Sequence, residues 1–290
     1  MGWMSELKIG EKLKNYNSLV MFSNTLFSLP FTILSMVWAA DGLPSFRVVI
    51  WILIALFGGR NGANAINKII DKKFDALDKR TASRVLVRGI VTVKEAWALT
   101  ILCFGLYFLG AFMLGPLCFA LSPIPFVLFC FYSFSKRFTL LCHLILGIAI
   151  AGAPLGAWIA VQNSISAPPL LLTAAVCFWV AGFDTVYAIQ DITFDRSQKL
   201  HSLPVFFGRN GGIIIASVLF AAASCFLAVL PQLINLGTFY FIGLASFILL
   251  LTAEICFSIK KNVSVNFYAY TINQMVSIIF VFFALLDFIF

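Results

Sequence analysis

Three polar side chains, Asn67, Asp71 and Asp75, recur four residues apart at the end of an apolar run. On a helix that spacing stacks them on one face. An ionised carboxylate close to hydrocarbon costs about 2.5–3.5 kcal/mol even on the lenient insertion scale, so this face calls for a cation. Asp184, Tyr187, Asp191 and Asp195 form a second face of the same kind, with seven residues from Asp184 to Asp191 and four from Asp191 to Asp195. Together with Asp78, these clusters hold six of the twelve acidic residues. Hard carboxylate oxygens suit Mg2+, which takes one or two protein carboxylates and fills its shell with water and phosphate oxygens. Two such clusters facing each other would hold a diphosphate between metal ions and neutralise charge on a leaving group. Arg60, Arg84, Lys136, Arg137 and Lys199 are the cations within reach if the loops gather over that site. A single D-x-x-x-D is a weak pattern, whereas two copies at equivalent positions are a strong one. Lys72, Lys73, Asp78, Lys79 and Arg209 read as ordinary solvated loop charges.

The elements that must position these faces are apolar helices. The chain of 290 residues is 61% hydrophobic and 11% charged, with a mean hydropathy of +1.00. A soluble domain carries about 25% charged residues, so this is a polytopic membrane protein. A helical span needs about 20 apolar residues. Nine stretches qualify, at 18–40, 47–70, 93–114, 116–134, 139–161, 167–190, 211–230, 235–258 and 266–288. No barrel-type alternation is present, so the expected fold is all-α. It divides into an N-terminal segment, 1–17, and a single transmembrane domain, 18–290. The second and sixth stretches both end in an acidic cluster followed by a basic loop. That repetition predicts two four-helix halves and a ninth helix around a central cavity.

The net charge of +8 does not indicate a nucleic-acid partner, because the basic residues sit in short loops between apolar stretches. Alternate connections carry them: the N-terminal tail, 71–92, Lys136–Arg137, Arg196 to Arg209, and Lys260–Lys261. The positive-inside rule places all of these, and the acidic clusters beside them, on the cytoplasmic side of the cell's inner membrane. Trp3, Met4, Leu7, Ile9 and Leu13 fit a short interfacial helix or an ordinary solvated tail, and no small-residue cleavage site precedes the first stretch. The seven cysteines lie in apolar runs with no C-x-x-C pair and read as buried small hydrophobes. Glu254 and Asp287 are intramembrane acids with no obvious partner, and His143 reads as a hydrogen-bonded structural residue. His201 is a candidate for acceptor contacts. The 32 phenylalanines permit an apolar groove and aromatic faces that steady an allylic cation.

These motifs resemble those of the UbiA superfamily of intramembrane aromatic prenyltransferases. The first family pattern, N-x-x-x-D-x-x-x-D followed by K-R-T, stands here as Asn67, Asp71, Asp75 and Lys79-Arg80-Thr81, with Arg84 beyond. The second, D-x-x-Y-x-x-x-D-x-x-x-D, stands as Asp184, Tyr187, Asp191 and Asp195. The Tyr132–Arg137 loop, the Gly152–Gly156 run and Leu29-Pro30-Phe31 match as well. The resemblance implies nine helices around a cavity and two Mg2+ ions bridging a polyprenyl diphosphate. It implies that Asn67, Asp71 and Asp75 hold one ion and Asp191 and Asp195 the other. Asp184 and Tyr187 would line the acceptor side, and Lys136, Arg137 and Lys199 would grip diphosphate or an acceptor carboxylate. Within the family the chain is most similar to the 4-hydroxybenzoate polyprenyltransferase group. The implied reaction joins an allylic cation to the ring carbon ortho to a phenolic hydroxyl, in quinone biosynthesis.

Two departures leave the acceptor open. Lys68 follows the motif Asn where many members have Asp, and Arg84-Val-Leu-Val-Arg88-Gly89 lacks the two prolines of the usual R-P-L-P-x-G. A basic residue at the Lys68 position is similar to a sub-branch that prenylates a dihydroxynaphthoate for menaquinone. In another class, a transporter would carry its coupling acids near the bilayer midplane, whereas these acids cluster at one face. The D-G-x-x-A-R core of the CDP-alcohol phosphotransferases is absent, and a protoheme farnesyltransferase is a further reading within the superfamily.

Overall fold

The computed structural model describes residues 2–21, 25, 27–260 and 264–289, with side chains from residue 10 onward except that of residue 266. Among these residues all regular structure is helical, with no strand. The helices are α1 (Gly2–Val20), α2 (Leu29–Ala40), α3 (Phe46–Ile70), α4 (Lys72–Leu77), α5 (Val93–Leu114), α6 (Pro116–Leu121) and α7 (Pro123–Ser135). They continue as α8 (Cys142–Gln162), α9 (Ala167–Tyr187), α10 (Ile192–Ser197), α11 (Leu203–Val229), α12 (Thr238–Ile259) and α13 (Ile272–Ile289). Eight helical stretches are long and apolar enough to cross a membrane, α6 and α7 together making one of them. The protein is a multi-pass integral membrane protein.

The predicted boundaries hold for most spans and fail at the first and seventh. The stretch 18–40 is not one helix. Met21 turns left-handed (φ 48°) and ends α1, and α2 starts afresh with Pro30 in its first turn. Proline suits that position because the amide it lacks has no helical partner there. At 12 residues, α2 is only about 18 Å long. Most of the expected N-terminal segment, 1–17, lies in helix α1, which runs on to Val20; its Leu13 is exposed. The side chains of Trp3, Met4, Leu7 and Ile9, and all of Lys261, lie outside the described residues. The helix of the seventh span, α11, begins at 203 rather than 211 because the Ser202 hydroxyl caps it, accepting from the Val205 amide at 3.3 Å. Its break falls inside, at Gly208 (φ 73°), a conformation that favours glycine.

Packing echoes the repeat in the sequence. The pairing of α3 with α5 is matched by that of α9 with α11, and α2 packs on α8, the first helix of the second half. Close approach depends on small residues: a Cβ on Gly58 would stand 2.6 Å from the Cys103 carbonyl oxygen on α5. The main core lies between α2, α8, α9, α11, α12 and α13, around the fully buried Trp179, Tyr240 and Phe280.

Polar groups left without a role by the sequence are structural. Glu254 is fully buried and accepts from Asn273 Nδ2 at 2.8 Å, while Asn273 Oδ1 accepts from Trp179 Nε1 at 2.8 Å. That relay ties α12, α13 and α9. Asp287 caps the start of α12, accepting from the Phe239 amide at 3.0 Å. The cysteines are all free, but only Cys103, Cys142 and Cys177 are buried. Cys225 and Cys256 are exposed on α11 and α12, which corrects their reading as core residues. An apolar residue on a spanning helix is equally stable facing lipid, so hydrophobicity alone does not choose its side.

Candidate active site

Both acidic faces survive a break in their helix. Asp71 separates α3 from α4, yet its amide still bonds to the Asn67 carbonyl at 2.8 Å and its own carbonyl accepts from the Asp75 amide at 2.9 Å. The i to i+4 stacking therefore continues through the join. On the other side α9 tightens into a 3-10 turn, Ala188–Asp191, before α10. Asp184, Asp191 and Asp195 still line one cavity.

Four of the motif carboxylates each have their own Arg or Lys. Arg137 lies 3.4 Å from Asp71, Arg84 2.6 Å from Asp75, Arg80 2.9 Å from Asp191 and Lys136 3.2 Å from Asp195. Two of these pairs join the halves. Adjacent residues Lys136 and Arg137 reach one cluster each, and Arg80 leaves the first motif to bind Asp191 of the second, also donating to the Tyr187 hydroxyl at 3.2 Å. Arg137 further donates to the Ile70 carbonyl at 3.1 Å and lies over the rings of Phe74 and Phe134. Asn67 donates to Asp71 Oδ2 at 2.9 Å, which leaves its amide oxygen for another partner.

The electrostatics follow from this crowding. Burial, then the neighbouring charge of Asp75, push the Asp71 carboxyl up to about 6 against the pull of Arg137. Burial disfavours the Lys136 ammonium, but Asp195 and Asp191 outweigh it and hold the group above the ordinary lysine range. Arg80 is likewise raised, with Asp191 and Tyr187 overcoming its burial.

The cavity has a volume of about 310 Å³ and is lined by eleven of the twelve residues singled out in the sequence. These include Arg60, a buried cation inside α3. Lys199 is the exception. It is exposed, left-handed (φ 55°), and outside the lining. His201 is also outside the lining; its amide donates to the Lys136 carbonyl at 2.6 Å and so anchors that loop. A second cavity of about 310 Å³, walled mainly by apolar side chains, shares Arg60, Phe129 and Ile150 with the first.

Sequence reasoning gave no chemical role to Arg80 and a structural one to His143, whose partners are 111 and 41 residues away. For Arg80 a signal existed, since it is the centre of the K-R-T run. Lys68 is buried and donates to the Ser18 carbonyl at 2.7 Å, and Asn64 donates to the Val20 carbonyl at 2.7 Å. Both hold the C-terminal end of α1.

Among the described residues no three His, Cys, Asp or Glu side chains meet as a ready-made metal cage. The donors come as two carboxylate pairs, Asp71 with Asp75 and Asp191 with Asp195. That supply is short for Zn2+ or Ca2+ and fits Mg2+, which leaves most of its shell to water and phosphate.

The model of the UbiA prenyltransferase family matches residues 28–284. The chain belongs to that family. A 4-hydroxybenzoate octaprenyltransferase of Vibrio parahaemolyticus is 31% identical over 255 residues, 87% of each chain. The protein of the same name from Shewanella pealeana is 31% identical, over 83% of this chain and 85% of its own. Among solved structures, the apo structure of a UbiA homolog from Aeropyrum pernix K1 superposes with a TM-score of 0.84 at 31% identity, covering 92% of this chain and 98% of the other. A UbiA homolog from Archaeoglobus fulgidus bound to GPP and Mg2+ shares the fold, with a TM-score of 0.71 at 20% identity over 95% of this chain and 100% of its own.

Proposed function

We propose that this family member transfers a polyprenyl group from polyprenyl diphosphate to a 4-hydroxybenzoate-type acid, at the carbon ortho to the hydroxyl, in an Mg2+-dependent reaction of quinone biosynthesis. The observation that carries the reading is the bridging of two acidic clusters by Lys136 and Arg137 over one cavity. The names of the Vibrio and Shewanella relatives and the GPP and Mg2+ in the Archaeoglobus homolog support it. In this reading the short α2 counts as a ninth span. The halves α2–α7 and α8–α12, with α13, surround a central cavity, and the N-terminus and basic loops face the cytoplasm at the inner membrane.

Asn67, Asp71 and Asp75 would hold one ion and Asp191 and Asp195 the other. Bound Mg2+ supplies charge neutralisation for the departing diphosphate. The chain supplies the rest. Arg80, Arg84, Lys136 and Arg137 are charge-assisted donors already gathered at the carboxylates, with further N–H groups to offer phosphate oxygens. The apolar cavity beyond Arg60 takes the isoprenoid and keeps water from the allylic cation. Asp184 and Tyr187 orient the acceptor ring, and Arg60 is the buried cation for its carboxylate. Lys199 joins only if its loop moves inward.

The dihydroxynaphthoate reading rested on Lys68, and engagement of that ammonium by the Ser18 carbonyl weakens it. The transporter reading fails to explain why the acids sit at helix ends among paired cations. Membranes containing the protein, given labelled polyprenyl diphosphate with 4-hydroxybenzoate or 1,4-dihydroxy-2-naphthoate, test the assignment. The expected product is the 3-prenylated hydroxybenzoate. Faster prenylation of the naphthoate, or of neither acid, would overturn it.

A further inference from the structure

The proposed reaction leaves one proton to be removed. When the prenyl carbon bonds to the ring, that ring carbon still carries hydrogen, and aromaticity returns only when the proton goes to a base. Four cavity carboxylates are committed to cations, as described above, and would serve the metal ions. Asp184 is different. Its partner among the described residues is neither Lys nor Arg but the imidazole of His143, with Nδ1 2.7 Å from Asp184 Oδ2. Seven residues before Asp191, it lies about 10 Å further along α9 from the diphosphate cluster.

His143 is placed to fix this carboxylate. It sits in the first turn of α8 with its side chain 1% exposed, while Asp184 is 17% exposed and both line the cavity. Contact with a carboxylate puts the imidazole proton on Nδ1. Nε2 is buried and makes no hydrogen bond among the described residues, so Nδ1 is the ring nitrogen that engages the carboxylate. Asp184 Oδ1 likewise has no hydrogen bond among the described residues. One oxygen is thus held from behind, and the other is left for chemistry.

Building on the aromatic-transfer reading, we propose that Asp184 accepts the ring proton and that His143 is the positioning residue that aims its carboxylate. The prenyl C–O bond breaks with its electron pair leaving on diphosphate. The ring π pair forms the new C–C bond, the ring C–H bond then breaks, and its pair restores the aromatic sextet. The proton moves to Asp184 Oδ1 and from there to water at the polar mouth of the cavity. His143 keeps its own proton throughout and holds Oδ2 by donation, so the carboxylate cannot rotate away from the ring. A positioned base contributes about 10²- to 10⁴-fold; misaiming it forfeits part of that factor.

The test uses the full-length protein in membranes, with 4-hydroxybenzoate carrying hydrogen or deuterium at its two ortho positions. Deprotonation is fast in the wild type, so the two acceptors react alike. His143→Ala lowers kcat by about tenfold to a hundredfold, leaves both KM values near wild type, and brings out a primary deuterium effect on kcat. His143→Asn presents an amide N–H where Nδ1 stood and recovers most of the rate. Asp184→Asn still accepts the His143 hydrogen bond but cannot take a proton, and loses more than His143→Ala. Binding of a labelled, non-reactive prenyl diphosphate analogue, unchanged in all variants, confirms the fold. Wild-type kcat in His143→Ala, or a loss without a deuterium effect that Asn fails to rescue, would overturn the assignment while leaving the transfer reaction intact. Failure of the wild type to prenylate any aromatic acid would overturn the transfer reading, and this inference with it.

Discussion

Asp195→Asn separates the chemical role of a cavity carboxylate from its structural one. Asp195 is 3% exposed, and its Oδ2 lies 3.2 Å from Lys136 Nζ. At an effective dielectric of about 20, two charges at that distance attract by about 5 kcal/mol. Little of this is net stability, because both charges were taken out of water. Asparagine keeps an oxygen that Lys136 can donate to, and Asp191 remains beside the ammonium. The expected loss of stability is therefore about 1–2 kcal/mol, the scale of one charge-assisted hydrogen bond exchanged for a neutral one. The rate should fall much further. Removing one group that stabilises developing charge costs about 10²- to 10³-fold. The assay pairs thermal melting of the detergent-solubilised protein with initial rates of labelled prenyl transfer at saturating Mg2+. A rate within threefold of wild type (roughly 0.6 kcal/mol) would refute the argument, as would a rate loss accompanied by collapse of the melting transition.

Three further outcomes follow from the same geometry. Arg80→Ala removes the donor to Asp191 and Tyr187; because the arginine side chain is 40% exposed, stability should change by under about 1 kcal/mol, while prenyl transfer falls by about tenfold or more, as melting and rate measurements would report. Asp71 is held up to about 6, above the roughly 3.9 of the unfolded chain. Its contribution to stability is therefore present at low pH and lost as pH rises from about 4 to about 6. Catalysis runs the other way, because only the ionised group binds a cation. At subsaturating Mg2+ the rate should drop as pH falls through about 6, and more Mg2+ should move that midpoint lower; a flat profile from pH 7 to 5 would contradict the assignment. Lys68→Met deletes the donor to the Ser18 carbonyl, leaving that acceptor short of a partner at a cost of about 1–3 kcal/mol. Hydrogen exchange of the last turn of α1 should quicken, with acceptor preference unchanged; a switch of acceptor would restore Lys68 to the acceptor site.

What the sequence made legible was local. Asn67, Asp71 and Asp75 are four apart, so helical geometry alone places them together, and the same holds for Asp191 and Asp195. Hydropathy located the spans because lipid demands about 20 apolar residues in a row. It misread 18–40 because the left-handed turn at Met21 and the fresh start at Pro30 are backbone events inside an apolar stretch. The long-range pairs were out of reach for a different reason. Nothing in residues 78–84 specifies that Arg80 crosses to Asp191, 111 residues on; only the meeting of both motifs at one cavity does. His143 was read as structural because a lone histidine at a helix start has no local partner. Lys68 was tied to the acceptor because a basic residue there resembles the dihydroxynaphthoate sub-branch, whereas the folded chain spends it on α1.

Metal-held diphosphate at the paired carboxylates is central to the proposed transfer, and one measurement addresses it directly. Membranes carrying wild-type protein, Asp71→Asn or Asp191→Asn are incubated with labelled polyprenyl diphosphate and 4-hydroxybenzoate, in Mg2+ or in EDTA. Transfer should occur only for the wild type in Mg2+, return when Mg2+ replaces EDTA, and be lost in both variants although they insert normally. Transfer that persists in EDTA, or full activity in both variants, would contradict it.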